Sequence, residues 1–201
     1  MGGHGNDAGQ LEGPVDVTFL NDDEILVADE LNHRIQQFNV QSGKFVKSFG
    51  KKGTGDGEFR YPSSVCMDNK GDVVVTEFNN NRIQVLTKDG VAVLKEPTLD
   101  HPLGCIYHKN MFIVSDSNNH CLKVYDGSGR FLHKIGEEGG PDGQLKKPWG
   151  FCVDKHDNVL VCDRDNNRIR QFTIEGRFKG KHVVVKPWVI TTTDEIGRAH
   201  V

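Results

Sequence analysis

A nine-residue segment recurs four times along the chain and restricts the fold more than any other feature of the sequence. It reads VADELNHRI at 27–35, VTEFNNNRI at 75–83, VSDSNNHCL at 114–122 and VCDRDNNRI at 161–169, with steps of 48, 39 and 47 residues. A second marker keeps almost the same spacing, since a proline precedes an apolar stretch at each of Pro14, Pro62, Pro102, Pro148 and Pro187. Two independent markers with one irregular spacing predict a chain built from repeated supersecondary units.

Each repeat contains four candidate strands. The first follows the proline, and the second is a compact apolar run such as Val73-Val74-Val75. The third alternates apolar and polar residues, as in 82–86, and the fourth follows a glycine turn, as in 44–49. Short runs rich in β-branched residues between turn formers indicate buried strands. No segment predicts a convincing helix, and four strands per repeat is the pattern of a propeller blade.

The motifs within one repeat resemble those of NHL proteins. Phe49-Gly50, Gly53, the run 55–59 and Pro62 are similar to the opening of an NHL repeat, and 71–75 with 79–83 are similar to its second half. The resemblance covers about residues 9–190, and the glycine-rich openings are most similar to the C-terminal propellers of metazoan TRIM-NHL (tripartite motif) proteins. It implies an all-β NHL propeller with four four-stranded blades here and the start of a fifth, truncated from a usual six.

We therefore expect the chain to divide at the repeat boundaries. The expected parts are a glycine-rich lead-in at 1–9, NHL blades at 10–50, 51–96, 97–136 and 137–182, and the start of a fifth blade at 183–194, with a first strand at 186–190. The tail at 195–201 matches one reading frame of a common sequencing adapter and is expected to be an artefact. The third repeat departs from the pattern because Cys121 replaces the arginine and 96–101 lacks the glycine-rich loop, which predicts a shorter loop there.

Composition and motifs argue against several classes of function. The 201 residues carry a net charge of -3, which does not favour a dedicated nucleic-acid binder. The five cysteines form no Cys-x-x-Cys pair and are expected to be reduced and buried, as in a cytoplasmic protein. No apolar stretch is long enough to span a membrane, so no membrane partner is expected. The sequence has no nucleophile elbow, phosphate loop or metal-ligand spacing, and we predict no catalytic residue, metal or cofactor.

The recurring acid and arginine of the nine-residue segment have two interpretations. An acid at the end of one strand and an arginine at the start of the next can form an ion pair that holds a loop, and repetition in nearly every blade favours this structural role. The asparagines between them are typical turn formers. The predicted structural anchors are Asp29, Asn32, Glu77, Asn80, Asp116, Asn119, Asp163 and Asn166.

The alternative is that some of these arginines face a ligand, where they could contact phosphate or stack on a base. Lysines of the glycine-rich loops and an aromatic residue beside a proline could contribute to the same face, although acids lie next to the lysines. The predicted ligand-binding residues are Arg34, Lys51, Lys52, Arg60, Arg82, Trp149 and Arg168.

The leading functional hypothesis is a recognition propeller of a TRIM-NHL-like ubiquitin-ligase protein. The resemblance implies a protein target or a single-stranded or structured RNA as partner. It also implies that ubiquitin machinery is reached only through N-terminal domains outside this sequence, including a zinc-binding RING. This part of such a protein is not expected to be an enzyme. An NHL-fold lyase or hydrolase with a metal in its channel, and an extracellular or bacterial NHL sensor domain, are the alternatives.

Overall fold

Each of the four repeats forms one four-stranded sheet in the computed structural model, which describes residues 2–86, 92–95, 99–192 and 199–200. Strands that follow each other in sequence are neighbours in the sheet and pair antiparallel. The predicted all-β fold with four four-stranded blades is therefore confirmed. Within the described residues, the helical pieces are two single 3₁₀ turns, at Glu30–Asn32 and Arg164–Asn166.

The chain consists of two compact units, residues 1–107 and 108–201. The strands that begin in the first unit are β1 (Pro14–Asn21), β2 (Glu24–Asp29), β3 (Arg34–Asn39), β4 (Phe45–Phe49), β5 (Pro62–Met67), β6 (Val73–Glu77), β7 (Arg82–Leu86), β8 (Ala92–Lys95) and β9 (Pro102–His108). Those of the second unit are β10 (Met111–Asp116), β11 (Cys121–Asp126), β12 (Phe131–Ile135), β13 (Pro148–Val153), β14 (Asn158–Asp163), β15 (Arg168–Thr173), β16 (Phe178–Val183), β17 (Thr191–Thr192) and β18 (Ala199–His200).

The core of the first unit lies between the sheets of the first two repeats. Leu26 and Ile35 of the first sheet belong to one apolar cluster with Val65 of the second, and all three are almost completely buried. On β1 the same strand position as Val65 is occupied by Val17, which is 55% exposed, whereas Val65 is 2% exposed. The first two sheets thus pack face to face through this apolar cluster, whereas β1 keeps an apolar face in solvent.

Aspartate side chains form the turns between several strands. Asp68 Oδ1 accepts hydrogen bonds from the backbone N–H groups of Lys70 (2.8 Å) and Asp72 (2.9 Å). Gly71 completes this turn at φ +83°, a conformation that favours glycine. Asp154 Oδ1 binds two backbone N–H groups in the same way. These Asx turns explain why a short polar segment reverses the chain after the first strands β5 and β13.

The segment after β16 differs from the prediction. The expected first strand of the fifth blade at 186–190 is wrong, because these residues join no strand ladder, and the strand of this region is β17. The backbone N–H of Gly150 donates to the carbonyl of Trp188 (2.9 Å), and Ile190 packs against Cys152 and Ile169. β17 pairs with β18. Residues 193–198 and 201, which include most of the suspected adapter tail at 195–201, lie outside the described residues.

Candidate functional site

The glycine-rich loops take one closed form in the first, second and fourth repeats. We name them lobe 1 (3–11), lobe 2 (51–59) and lobe 3 (137–145). Each lobe closes through a backbone hydrogen bond of 2.8 Å, donated by Leu11 to Gly3, by Phe59 to Lys51 and by Leu145 to Glu137. Gly50 directly precedes lobe 2 and has φ +90°. A Cβ at this position would collide with the ring of Phe59. The sequence predicted 1–9 as a lead-in, and most of it forms lobe 1.

The recurring acid joins each lobe to the strands beneath it. Glu77, at the end of β6, is completely buried and accepts hydrogen bonds from the backbone N–H of Arg60 (3.1 Å), from Asn80 Nδ2 (2.5 Å) and from Arg82 Nε (2.6 Å). The equivalent carboxylates of the first and fourth repeats accept the same three kinds of hydrogen bond. Asp29 accepts from the backbone N–H of Glu12 and from the side chains of Asn32 and Arg34. Asp163 accepts from the backbone N–H of Lys146 and from the side chains of Asn166 and Arg168. Six of the eight predicted anchors, those of the first, second and fourth repeats, therefore lie at the base of the lobes, whereas Asp116 and Asn119 bind each other in the third repeat.

The repeated arginines bind the same lobes from below. Arg82 donates to the carbonyls of Thr54 (2.7 Å), Gly55 (2.9 Å) and Glu58 (2.9 Å) in lobe 2. Its side chain is 9% exposed, and those of Arg34 and Arg168 are each 13% exposed. Three of the predicted ligand-binding residues thus direct their guanidinium groups at lobe carbonyls and buried acids and leave little surface for a ligand.

In the third repeat, a different cation forms the ion pair with the buried acid. Asp116 has no arginine at the usual position, where Cys121 lies buried. Lys123, two residues further along β11, places Nζ 3.0 Å from Asp116 Oδ2. Burial, followed by the charge of Asp116, raises the pKa of Cys121 to about 11, so this thiol stays protonated beside the ion pair. The repeated pattern places the cation at the position of Cys121 and therefore does not indicate Lys123.

The fourth repeat carries a second buried arginine. Arg170 has no exposed side-chain surface, and its Nη1 lies 2.7 Å from Asp142 Oδ1 in lobe 3, while Nη2 donates to the carbonyl of Pro141 (2.5 Å). Lys181 also contacts Asp142, and the hydrogen bonds from Lys181 and Arg170 lower the pKa of that carboxyl. Lobe 3 is thereby linked to both β15 and β16.

Successive repeats are joined by one recurring hydrogen bond, and we name each instance of it a joint. The residue before the arginine position has left-handed backbone in all four repeats, and its side chain accepts a hydrogen bond from the backbone N–H of the residue before the next proline. The pairs are His33 Nδ1 with Tyr61 N (3.1 Å), Asn81 Oδ1 with His101 N (3.0 Å), His120 Nδ1 with Lys147 N (3.0 Å) and Asn167 Oδ1 with Lys186 N (3.0 Å). Histidine and asparagine are equivalent here because each presents an acceptor to the same N–H.

Three of the predicted ligand-binding residues lie in lobe 2 or directly after it. Lys51, Lys52 and Arg60 are exposed, and we name them the basic corner. Burial lowers the pKa of His33, and the positive charges of Lys52 and Arg60 lower it further. The corner is not purely basic, since Lys51 Nζ lies 3.3 Å from Glu58 Oε1.

Trp149 belongs to a cluster with a cation that the sequence did not indicate. Its ring lies 4.2 Å from that of Trp188, centroid to centroid, and the guanidinium of Arg164 stacks 4.8 Å from Trp149 and 5.2 Å from Trp188. Trp188 is 51% exposed, and the buried Nε of Arg164 has no hydrogen-bond partner among the described residues. We name these three residues the indole cluster. Arg164 follows the acid, where the other repeats have Glu30, Phe78 and Ser117, so no repeated signal pointed to it.

Comparison with known proteins assigns the repeat. The family model of the NHL repeat matches residues 11–38, 59–86 and 145–172, each of which runs from a lobe to the third strand of a sheet. Three of the four repeats of the chain are NHL repeats. The third repeat, with Cys121 and Lys123 in place of the usual pattern, lies outside these matches.

Its relatives are TRIM-NHL proteins. The chain is 35% identical to the protein brain tumor of Drosophila melanogaster over 133 residues, which cover 64% of the chain and 13% of that protein. It is 30% identical over 143 residues to the B-box type zinc finger protein ncl-1 of Caenorhabditis elegans, covering 66% and 16%. It is 29% identical over 159 residues to human E3 ubiquitin-protein ligase TRIM32, covering 68% and 23%. The NHL chain spans less than a quarter of the length of these relatives.

Solved structures share the fold at low sequence identity. A virginiamycin B lyase from Staphylococcus aureus matches with a TM-score of 0.72 and 19% identity, over 96% of this chain and 62% of the lyase chain. A chain of a nidogen/laminin complex matches with a TM-score of 0.72 and 14% identity, over 90% and 69%. At this identity the likeness concerns the NHL propeller fold alone.

Candidate metal centres and membrane-spanning helices are both absent from the described part of the chain. No group of three or more histidine, cysteine, aspartate or glutamate side chains there could hold a metal ion. No described helix is both long and apolar enough to cross a membrane.

Proposed function

We propose that this chain is the target-recognition propeller of a TRIM-NHL-like ubiquitin-ligase protein and that it binds a protein target through the indole cluster. The observation that carries the proposal is the exposed face of Trp188, stacked on a guanidinium whose Nε lacks a partner. Tryptophan and arginine are the residue types that most often dominate the energy of protein interfaces. An acceptor group on the target would satisfy the unmet N–H of Arg164.

The charge distribution supports a protein target over RNA as the main partner. The chain carries a net charge of -3, and Lys51 of the basic corner is opposed by Glu58. A strong RNA binder loses affinity steeply with salt because it neutralises many phosphates, which requires an extended basic surface. RNA binding at the basic corner remains the second candidate, favoured by the exposed Lys52 and Arg60 beside Tyr61.

Ubiquitin transfer is assigned to domains outside this chain. TRIM32 is named an E3 ubiquitin-protein ligase, and this chain corresponds to 23% of its length. The expected contribution of the NHL chain is binding without catalysis, in the cytoplasm. When it is mixed with ubiquitin, E1, E2 and ATP, we expect no ubiquitin chains to form.

Selection followed by substitution tests the proposal. Peptides displayed on phage and random single-stranded RNA are selected against the chain, and the dissociation constant of each selected binder is measured by fluorescence anisotropy. Trp188→Ala and Arg164→Ala are expected to weaken peptide binding at least about tenfold, the size of an interface hot spot. Phe131→Ala is the matched control, because Phe131 is also 51% exposed and belongs to the same unit.

Two results would contradict the protein-target proposal. One is a set of peptide binders that respond to Phe131→Ala as strongly as to Trp188→Ala. The other is a set of RNA binders alone, with affinity that falls steeply with salt and with Lys51→Ala and Lys52→Ala, and with no loss in Lys44→Ala and Lys47→Ala. That second result would establish the basic corner as an RNA site.

A further inference from the structure

The first strands of three successive repeats are linked by a polar cluster that the proposed function does not use. Ser64 of β5 donates from Oγ to Asp16 Oδ2 of β1 (2.5 Å), and the backbone N–H of Val65 donates to the same oxygen (2.9 Å). On the other side, the backbone N–H of Cys105 in β9 donates to Ser64 Oγ (3.2 Å). β5 is therefore held on both sides by side-chain contacts with its neighbouring first strands.

Two thiols meet within this cluster. Cys66 Sγ of β5 lies 3.2 Å from Cys105 Sγ of β9, and both cysteines are free. Cys105 is 6% exposed, whereas Cys66 is partly exposed. The two residues are 39 positions apart in the sequence and are brought together by the packing of one repeat on the next. The sequence predicted buried, reduced cysteines and gave no indication of a pair.

We propose that Cys66 and Cys105 form a redox pair that a hydroperoxide converts into a disulfide between the second and third repeats. The thiol of Cys66 loses its proton, and the thiolate attacks one oxygen of hydrogen peroxide. The O–O bond breaks, Cys66 becomes a sulfenic acid, and the departing hydroxide takes up the released proton as one water. The thiol of Cys105 then attacks that sulfur, the S–S bond forms, and the hydroxyl leaves with the proton of Cys105 as a second water. The two thiols lose two electrons to the peroxide, which is reduced to two molecules of water.

The surroundings of Cys66 make the first step slow at neutral pH. Contact with Cys105 and burial raise the pKa of Cys66 well above its usual range, and the negative charge of Asp16 acts in the same direction. Since the thiolate is the nucleophile, the pair is resistant to brief oxidation, and its reaction is expected to accelerate from pH 7 to pH 9. Once one sulfur is oxidised, the second is already in contact, so disulfide formation outpaces further oxidation of Cys66.

The disulfide would restrain a large part of the first unit. It would close a loop of about 40 residues, and cross-links of that size stabilise mainly by reducing the entropy of the unfolded chain. For a chain of this length the expected rise in Tm is roughly 5–10 °C. The cross-link would also fix β9 to β5, on the side of β5 opposite the bond from Ser64 to Asp16.

Peptide mapping of the full chain tests the proposal. The protein is treated with hydrogen peroxide at pH 7 and pH 9, digested without reduction, and analysed by mass spectrometry. We expect a linked peptide pair containing Cys66 and Cys105, formed faster at pH 9, together with a rise in Tm that dithiothreitol reverses. Cys66→Ser and Cys105→Ser should each lose both the linked peptide and the rise in Tm, and circular dichroism confirms that they fold.

The remaining cysteines provide the controls. Cys121→Ser should retain the linked peptide and the rise in Tm, because Cys121 is buried elsewhere, in the third sheet. The proposal is overturned if peroxide produces sulfinic acid at Cys66 while Cys105 remains a free thiol. It is equally overturned if the main product links Cys152 to Cys162, which lie in one apolar cluster of the fourth sheet.

Discussion

Lys123 Nζ lies 3.0 Å from Asp116 Oδ2 and supplies, from two residues further along its strand, the charge that an arginine supplies in the other repeats. The two positions share one face of the strand because side chains alternate. Gln36, Gln84 and Arg170 occupy the position of Lys123 in the other repeats. The third repeat thus keeps a paired buried acid although the recurring pattern is broken.

Removal of the lysine charge should destabilise the third sheet strongly. Lys123→Gln leaves the fully buried Asp116 without its cation, and we expect the free energy of unfolding to fall by about 3 kcal/mol. Urea denaturation measures the change. Lys155→Gln, at an exposed position, should remain within about 0.5 kcal/mol of the wild type. Equal effects of the two substitutions would show that the ion pair contributes nothing.

The joint at His33 should make stability depend on pH. The pKa of His33 is lowered in the folded chain, so the unfolded chain binds a proton more readily. The contribution of neutral His33 is complete above the unfolded pKa of about 6.5, and it is lost as pH falls from there towards the lower folded pKa. As pH falls over this range, we expect the Tm of the wild type to decrease relative to that of His33→Asn, which keeps an acceptor that does not titrate.

Two measurements isolate that effect from the other histidines. The difference in Tm between wild type and His33→Asn should be constant above pH 7 and change only at lower pH. Lys52→Met should raise the pKa of His33, as followed by NMR, because one of the charges that lower it is gone. A pH-independent difference in Tm, or a His33 pKa that does not respond to Lys52, would refute the electrostatic explanation.

Buried and exposed arginines of the second repeat should differ in their effects. Arg82→Ala leaves Glu77 buried without its ion pair and leaves three lobe carbonyls without donors, so a loss of about 3 kcal/mol is expected. Arg60→Ala, at an exposed position, should cost less than about 0.5 kcal/mol. Chemical denaturation measures the free energy of unfolding of both variants. A stable Arg82→Ala variant would reopen the interpretation of this arginine as a ligand residue.

The apolar face of β1 should promote self-association of the 201-residue chain. Val15, Val17 and Phe19 occupy every second position of β1 and are 48%, 55% and 65% exposed. Exposed apolar patches of this kind favour association. Light scattering is expected to show dimers or larger species, and Val17→Ser with Phe19→Ser should shift them towards monomer. Val46→Ser, at another exposed apolar position, is the control, and a monodisperse wild-type monomer would contradict the prediction.

Much of the fold could be predicted from the sequence because repetition exposes the pattern. The proline spacing and the short β-branched runs predict four strands per repeat, and a constant interval of five residues links each acid to its arginine. The joint at Tyr61 could not be predicted, because the donor is a backbone N–H that any residue supplies. The stacking of Arg164 could not be predicted either, because this arginine occurs in one repeat and its partner Trp188 lies 24 residues away in the sequence.

Lobe 2 is fastened to the strands beneath it through backbone atoms. Arg82 binds lobe 2 at three carbonyl oxygens, and Glu77 binds the backbone N–H of Arg60. Apart from Glu58, whose Oε2 accepts a hydrogen bond from the backbone N–H of Gly55 (2.9 Å), these contacts place few demands on the side chains that lobe 2 presents to solvent, much as an antibody framework supports variable loops. Substitutions at the exposed Lys51 and Lys52 are therefore expected to change the charge of the lobe surface while the free energy of unfolding stays nearly constant, so surface charge and stability can be altered independently of one another.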